Sequence, residues 1–129
     1  MLNLKKLLTK FLDNEDKKHS ISSIVSITSG TLSSIGLTVF YTKSDIKSIT
    51  GRVLVSGLSS NVRPTITVNV PADMPTVSYI GATIIRGTAG SPTATDPPVF
   101  NHTYGSTTAT ITMANNIGSA PAGWASMTF

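Results

Sequence analysis

The 129 residues suffice for one hydrophobic core of ordinary size and are too few for two full domains. Apolar residues make up 40% of the chain, which excludes a disordered polypeptide, and the absence of cysteine excludes disulfides and thiolate metal sites. The formal net charge is +4, but from Val53 onward two arginines and two aspartates are the only charged residues, and they cancel. Because phosphate binding needs several basic residues on one face, we expect no nucleic-acid partner.

The first twelve residues, MLNLKKLLTKFL, have the spacing of an amphipathic helix of about three turns. Lysines occupy one face, and five apolar side chains share the other: Leu4, Leu7, Leu8, Phe11 and Leu12. Lys5, Lys6 and Lys10 interrupt the apolar run, so we expect no secretion signal here. No stretch of the chain reaches the roughly 20 apolar residues that a membrane-spanning segment needs.

A helix this short is marginal in water unless its apolar face is buried. Three places for that burial are open: the flank of its own β-domain, the same helix in other copies of the chain, or a membrane surface. The spacing of Leu4, Leu8 and Phe11 is that of a coiled-coil seam and favours self-association. The short length disfavours the membrane. We therefore predict a homo-oligomer.

A charged stretch at 13–18 has no apolar residue, which is typical of a solvated link. It separates an N-terminal segment, 1–19, from a β-domain, 20–129. In the β-domain, β-branched residues and period-two alternation predict strands at 21–29, 31–42, 49–57, 63–70, 76–87, 99–104, 107–113 and 124–129. Residues 88–98 are predicted to be an irregular loop. About seven or eight antiparallel strands at this spacing indicate a β-sandwich, a jelly roll or a small barrel.

The segment TATDPPVFNHTYGS, 93–106, concentrates the side chains best suited to recognition on an exposed loop of a β-scaffold. Aromatic rings beside amide and carboxylate groups suit sugars, which have an apolar C–H face and a rim of hydroxyls. We select four candidate ligand contacts: Asp96, Asn101, His102 and Tyr104. The alternative for Phe100 and Tyr104 is that they fill the core at a sheet edge. Trp124 is expected to anchor the core from the last strand.

A catalytic site finds little support in the sequence. His102 and Asp96 could together polarise a serine hydroxyl, which leaves a small hydrolase as an alternative. However, no G-x-S-x-G nucleophile motif occurs, the glycine-containing loops lack phosphate-binding spacing, and one histidine with isolated acids does not make a metal site. We therefore expect no enzymatic activity, no metal and no cofactor.

The opening MLNLKKLLTKFL, the polar link, and a Ser/Thr/Gly-rich β-domain ending on GWASMTF resemble small proteins of the tail-fibre and receptor-binding regions of bacteriophages and prophages. The resemblance covers the plan of the whole chain, and its sequence-specific part is the first twelve residues. It implies a trimer held by the N-terminal helix and a location in the virion. It also implies a β-rich head that binds a cell-surface glycan or other virion proteins. The alternative is a bacterial surface or secreted adhesion module without phage origin.

Overall fold

The computed structural model describes residues 3–4, 15–88, 90–113 and 120–129. In these residues every secondary-structure element is a β-strand, and there are eleven, more than the seven or eight predicted. The strands are β1 (Lys17–Ile21), β2 (Ser26–Ile27), β3 (Thr31–Tyr41), β4 (Ile46–Leu58), β5 (Ile66–Asn69), β6 (Val77–Ile80), β7 (Thr83–Thr88), β8 (Ser91–Thr95), β9 (Pro98–His102), β10 (Thr108–Met113) and β11 (Gly123–Thr128). Nowhere in the described ranges is there a helix long and apolar enough to cross a bilayer.

The strands form two antiparallel sheets, which confirms the prediction of a mainly β fold. The six-stranded sheet has the order β1-β3-β4-β11-β7-β8, and the five-stranded sheet has the order β2-β5-β10-β9-β6. In the second sheet β5 and β6 lie on opposite sides of the β9–β10 pair. The chain between β5 and β6 therefore crosses that pair, as in a Greek key.

The hydrophobic core draws side chains from both sheets. One buried cluster contains residues of both sheets. The six-stranded sheet contributes Val53 and Val55, among others, and the five-stranded sheet contributes Ile66, Phe100 and Ile111. Each such side chain contributes about 1.5–3 kcal/mol when fully buried. Strand β10 shows the predicted alternation directly, with buried residues at every second position and half-exposed threonines between them. Period-two alternation in the sequence therefore separates core from surface in this strand.

The prediction of an irregular loop at 88–98 is wrong, because β8 and the start of β9 lie within it. Three prolines made this segment look unable to form strands. Pro92 is tolerated because β8 is the last strand of the six-stranded sheet, with a partner on one side only. A proline at a sheet edge needs no hydrogen-bond partner on its open side.

Two predicted strands are also divided differently from expectation. Of 21–29, only Ile21 at the end of β1 and the two residues of β2 are in strands. The predicted strand 76–87 is two strands in different sheets. The chain changes sheet at Gly81 and Ala82. The N–H of Gly81 donates to the carbonyl oxygen of Pro98 in the five-stranded sheet at 2.7 Å, and the N–H of Ala82 donates to that of Thr128 in the six-stranded sheet at 2.8 Å. Because β-propensity is continuous through this segment, the sequence pattern does not show that the chain passes from one sheet to the other.

The predicted link is shorter than the charge pattern indicated. Strand β1 begins at Lys17 and pairs with β3 along all its residues, so the expected boundary between 19 and 20 falls inside a strand. Of the predicted amphipathic helix, Leu4 is described and is 69% exposed. Four other residues of its apolar face lie outside the described residues, namely Leu7, Leu8, Phe11 and Leu12. The helix and its role in oligomerisation stay predictions.

One charged residue, Arg86 in β7, is fully buried on the core side of its strand, two positions after the buried Ile84. Its guanidinium donates to three backbone carbonyl oxygens: from Nε to Pro121 at 2.8 Å, and from the two terminal nitrogens to Val62 at 2.6 Å and Ser59 at 3.1 Å. Burial lowers the pKa of Arg86, but a guanidinium stays charged in proteins. Arg86 thus ties two loops to the six-stranded sheet.

Candidate functional site

The outer face of the five-stranded sheet carries a row of uncharged polar side chains that crosses all five strands. Residues in register on neighbouring strands share a face of the sheet. The successive register partners are Ser26, Thr67, Thr110, Asn101 and Ser78. None of the five strands contains Asp, Glu, Lys or Arg. This face therefore offers hydroxyl and amide groups without formal charge.

A groove of about 530 Å³ lies over one side of this row, across β6, β9 and β10. Its volume is in the range of small-ligand sites, which is about 300–1,000 Å³. The polar side chains at the groove include Ser78, Asn101 and Thr110 from the row, together with Thr76, Thr103 and Thr108. Within the described part of the chain, the amide of Asn101 has no hydrogen-bond partner. Asn101 can therefore donate to a ligand and accept from it.

Tyr104 follows Thr103, which lines the groove, and is 65% exposed. Its backbone N–H donates to the hydroxyl of Thr76 at 2.9 Å, and the N–H of the next residue, Gly105, donates to the carbonyl oxygen of Ala72 at 2.9 Å. Gly105 has a φ of +92°, a conformation that glycine adopts without strain. These contacts fix the backbone of the loop next to Thr76 and Thr103, which line the groove.

His102 lies beneath the same loop and is only 4% exposed. Its Nδ1 is 3.1 Å from the carbonyl oxygen of Pro75, and its Nε2 is 2.7 Å from that of Ser106. Both partners are acceptors, so the ring nitrogen that carries a proton donates to its carbonyl oxygen. His102 thus ties the loop to the turn below it, and it also belongs to the lining of the groove.

Asp96, the fourth selected residue, is not brought together with the other three. It precedes β9, whereas Asn101 and His102 end that strand. At about 3.3 Å per residue, the four steps from Pro98 to His102 alone cover roughly 13 Å. One carboxylate oxygen of Asp96, Oδ2, is buried and has no hydrogen-bond partner among the described residues.

An ion pair supports the turn that carries the Tyr104 loop. Lys17 Nζ in β1 lies 2.5 Å from Asp73 Oδ2, and the hydroxyl of Tyr41 donates to Asp73 Oδ1 at 3.3 Å. The hydrogen bond from Lys17 lowers the pKa of Asp73, and the same bond raises the pKa of Lys17. Asp73 follows Ala72, which accepts the hydrogen bond from the loop. Strand β1 is thereby linked to the rim of the groove.

No pattern in the sequence indicates this ion pair. The charge pattern predicts that Lys17 lies in the solvated link, and an aspartate in a turn normally bonds its own backbone. The two residues are 56 positions apart in the chain, so no local spacing relates them. Only the register of β1 on β3 brings Lys17 to the turn.

The described residues contain no group of three or more His, Cys, Asp or Glu side chains that could hold a metal ion. No protein-family model, no curated protein and no solved structure matches the chain. Its function is therefore inferred from its own residues.

Proposed function

We propose that the chain is a non-enzymatic, glycan-binding β-module that serves as a structural or adhesive part of a phage or prophage particle. The observation that carries this proposal is the uncharged groove on the five-stranded sheet, with the free amide of Asn101 in it. In the proposal, the exposed ring of Tyr104, which follows Thr103 of the groove in the chain, adds an aromatic surface. We interpret the two sheets, whose buried side chains join one cluster, as the halves of a β-sandwich that presents this groove.

The chemistry of the groove matches that of a neutral sugar. Serine, threonine and asparagine side chains can both donate and accept hydrogen bonds, as sugar hydroxyls do. An exposed tyrosine adds a flat apolar surface for the C–H face of a sugar ring, together with a polar tip. A charged or wholly apolar ligand would find fewer matching groups here.

An open groove of this kind binds a single sugar weakly, and several linked copies compensate through avidity. In our proposal the N-terminal segment supplies the copies by bundling three chains through Leu4, Leu8 and Phe11. A particle would then present three grooves at once to a cell-surface glycan. The segment could equally attach the module to other virion proteins.

Two rival functions differ in how they fit the geometry. A bacterial surface or secreted adhesion module would use the same groove, and the identity of the neighbouring genes would distinguish it from a phage component. A hydrolase built on Asp96 and His102 is poorly supported, because β9 separates the two residues and backbone carbonyls occupy both nitrogens of His102.

The proposal is tested by saturation-transfer NMR with a panel of neutral hexose and N-acetylhexosamine oligosaccharides, followed by titration of the best ligand. We expect Asn101→Ala and Thr110→Ala each to weaken binding about threefold to tenfold, because each removes hydrogen bonds to the sugar. Thr50→Ala is the matched control, since Thr50 is an exposed strand threonine on the other sheet. No saturation transfer from any saccharide would contradict the proposal.

A second pair of variants tests the role of Tyr104 in binding. Tyr104→Ala should weaken binding of the same saccharide about threefold to tenfold, because the ring loses its contact with the sugar. Phe40→Ala removes another exposed aromatic ring, on β3 of the six-stranded sheet, and should leave binding unchanged. Equal effects of the two variants would refute a specific role for Tyr104.

A further inference from the structure

The outer face of the six-stranded sheet holds a second groove, of about 560 Å³. It lies where two neighbouring strands depart from regular pairing. β3 carries an extra residue at Ser33, and β4 carries an extra residue opposite Trp124. Bulges bend strands and re-aim side chains, which accounts for a depression in a surface that would otherwise be flat. At one side of the groove, the hydroxyl of Ser33 donates to that of Ser56 at 3.2 Å.

The floor of this groove is apolar. Leu54, Ile85 and Trp124 line it, and Ile85 is 38% exposed. The expectation that Trp124 anchors the core is wrong, because its neighbour Ala125 takes the buried position and Trp124 lies on the outer face. The register partner of Trp124 on β7 is Gly87, which has no side chain, and Trp124 is partly exposed.

The groove is also lined by a cationic side chain, that of Arg52. Arg52 is exposed and contributes to the lining, and no carboxylate among the described residues pairs with its guanidinium. The six strands of this sheet contain lysine and arginine but no aspartate or glutamate. An anion bound here would therefore meet an uncompensated positive charge beside an apolar surface, where water screens it less than in bulk.

We propose that this groove is a binding site for a small amphipathic carboxylate. The apolar part of the ligand lies on Leu54, Ile85 and Trp124, and its carboxylate pairs with the guanidinium of Arg52. Arginine suits this role because its planar donors match the two oxygens of a carboxylate. The site is on the opposite sheet from the proposed glycan groove and does not depend on that proposal.

Trp124 is the only tryptophan in the chain, so its fluorescence reports on the groove directly. The full-length protein is titrated with octanoate below its micelle concentration, and with octylammonium and 1-octanol as probes of equal chain length. We expect octanoate to shift the emission of Trp124 in a saturable way and to bind about tenfold more tightly than octylammonium, because the charged contact favours only the anion.

Two variants separate the charged contact from the apolar one. Arg52→Gln should weaken octanoate binding about tenfold and leave 1-octanol binding unchanged. Lys47→Gln, which removes the same charge from an exposed position on the same strand, is the control and should have no effect. Ile85→Ser should weaken both probes, since it removes apolar surface from the floor. Asn101→Ala should bind octanoate like the wild type, which separates this site from the glycan groove.

Three results would overturn the proposal. The first is an emission of Trp124 that octanoate does not change, and the second is an equal loss of affinity in Arg52→Gln and Lys47→Gln. The third is a wild-type dimer, measured by light scattering, that Ile85→Ser dissociates, because a second copy of the chain would then be the occupant of the groove.

Discussion

Asp73 is a residue through which pH should control the stability of the fold. Its pKa lies below the ordinary value of 3.8 because Lys17 donates to its carboxylate. The folded state therefore gains stability from this group above pH 3.8, and loses it as the pH falls through the lowered pKa. The pKa of Lys17 is raised above 10.5, so its contribution is present below pH 10.5 and is lost as the pH rises through the raised value.

We therefore predict that Asp73→Asn lowers the free energy of unfolding between pH 3.8 and 10.5, and that its difference from the wild type shrinks on both sides of this window. Urea unfolding at a series of pH values measures the difference. Asp45→Asn, which neutralises an exposed acid in a surface turn, should show no such profile. A constant difference at all pH values would show that the ion pair does not account for the loss.

The second prediction for a single residue concerns Gly51 in β4. Its φ is +125°, and a Cβ built there would overlap the carbonyl oxygen of Gly36 on β3. We expect Gly51→Ala to lower the free energy of unfolding by about 2 kcal/mol or more, through backbone strain and the clash. Gly36→Ala is the control, because a Cβ at Gly36 meets no atom within 4 Å. Equal stabilities of the two variants in urea would contradict this explanation.

At the scale of an element, the loop 103–106 depends on His102. If the ring holds the carbonyl oxygens of Pro75 and Ser106, its removal should free the loop from the turn below it. We predict that His102→Ala increases hydrogen exchange of the Gly105 amide about tenfold or more, while the core amides of β10 keep their protection. His19→Ala, in β1, is the control. Unchanged exchange at Gly105 would show that the loop is held without the histidine.

The elements that the sequence predicted well are those with clean alternation. β5 and β10 were both recognisable because every second residue is apolar and the residues between them are polar. β8 was not predicted because it is polar and contains a proline. Both features are tolerated in an edge strand, but which strand lies at the edge depends on the rest of the sheet. Trp124 was misassigned because alternation does not tell which face of β11 is buried.

The candidate site was predictable only in part, for a similar reason. Asn101, His102 and Tyr104 are close in the chain, so the sequence already places them near one another. The other walls of the groove come from Ser78 and Thr110, which reach it through the pairing of β6 and β10 with β9. Register between distant strands depends on tertiary contacts, and no pattern within a single strand specifies it.

At the scale of the whole molecule, the prediction of a trimer awaits its own experiment. Leu8→Asp, which puts a charge on the apolar face of the N-terminal segment, should convert three-chain assemblies into single chains in light scattering, because a buried carboxylate is costly. Thr9→Asp adds the same charge off that face and should leave the assembly intact. Circular dichroism should show unchanged β-structure in both variants. A wild-type chain that is monomeric at micromolar concentration would end the trimer hypothesis.

The two outer faces of the molecule differ in charge: the five-stranded sheet has no Asp, Glu, Lys or Arg in its strands, whereas the six-stranded sheet has basic residues and no acids. Dissolved ions screen exposed charges and leave hydroxyl and amide contacts largely untouched. The neutral face should therefore hold a partner equally well in fresh water and in brine, while the basic face should release an anion as salinity rises. One small fold thus combines a salt-tolerant side with a salt-responsive one.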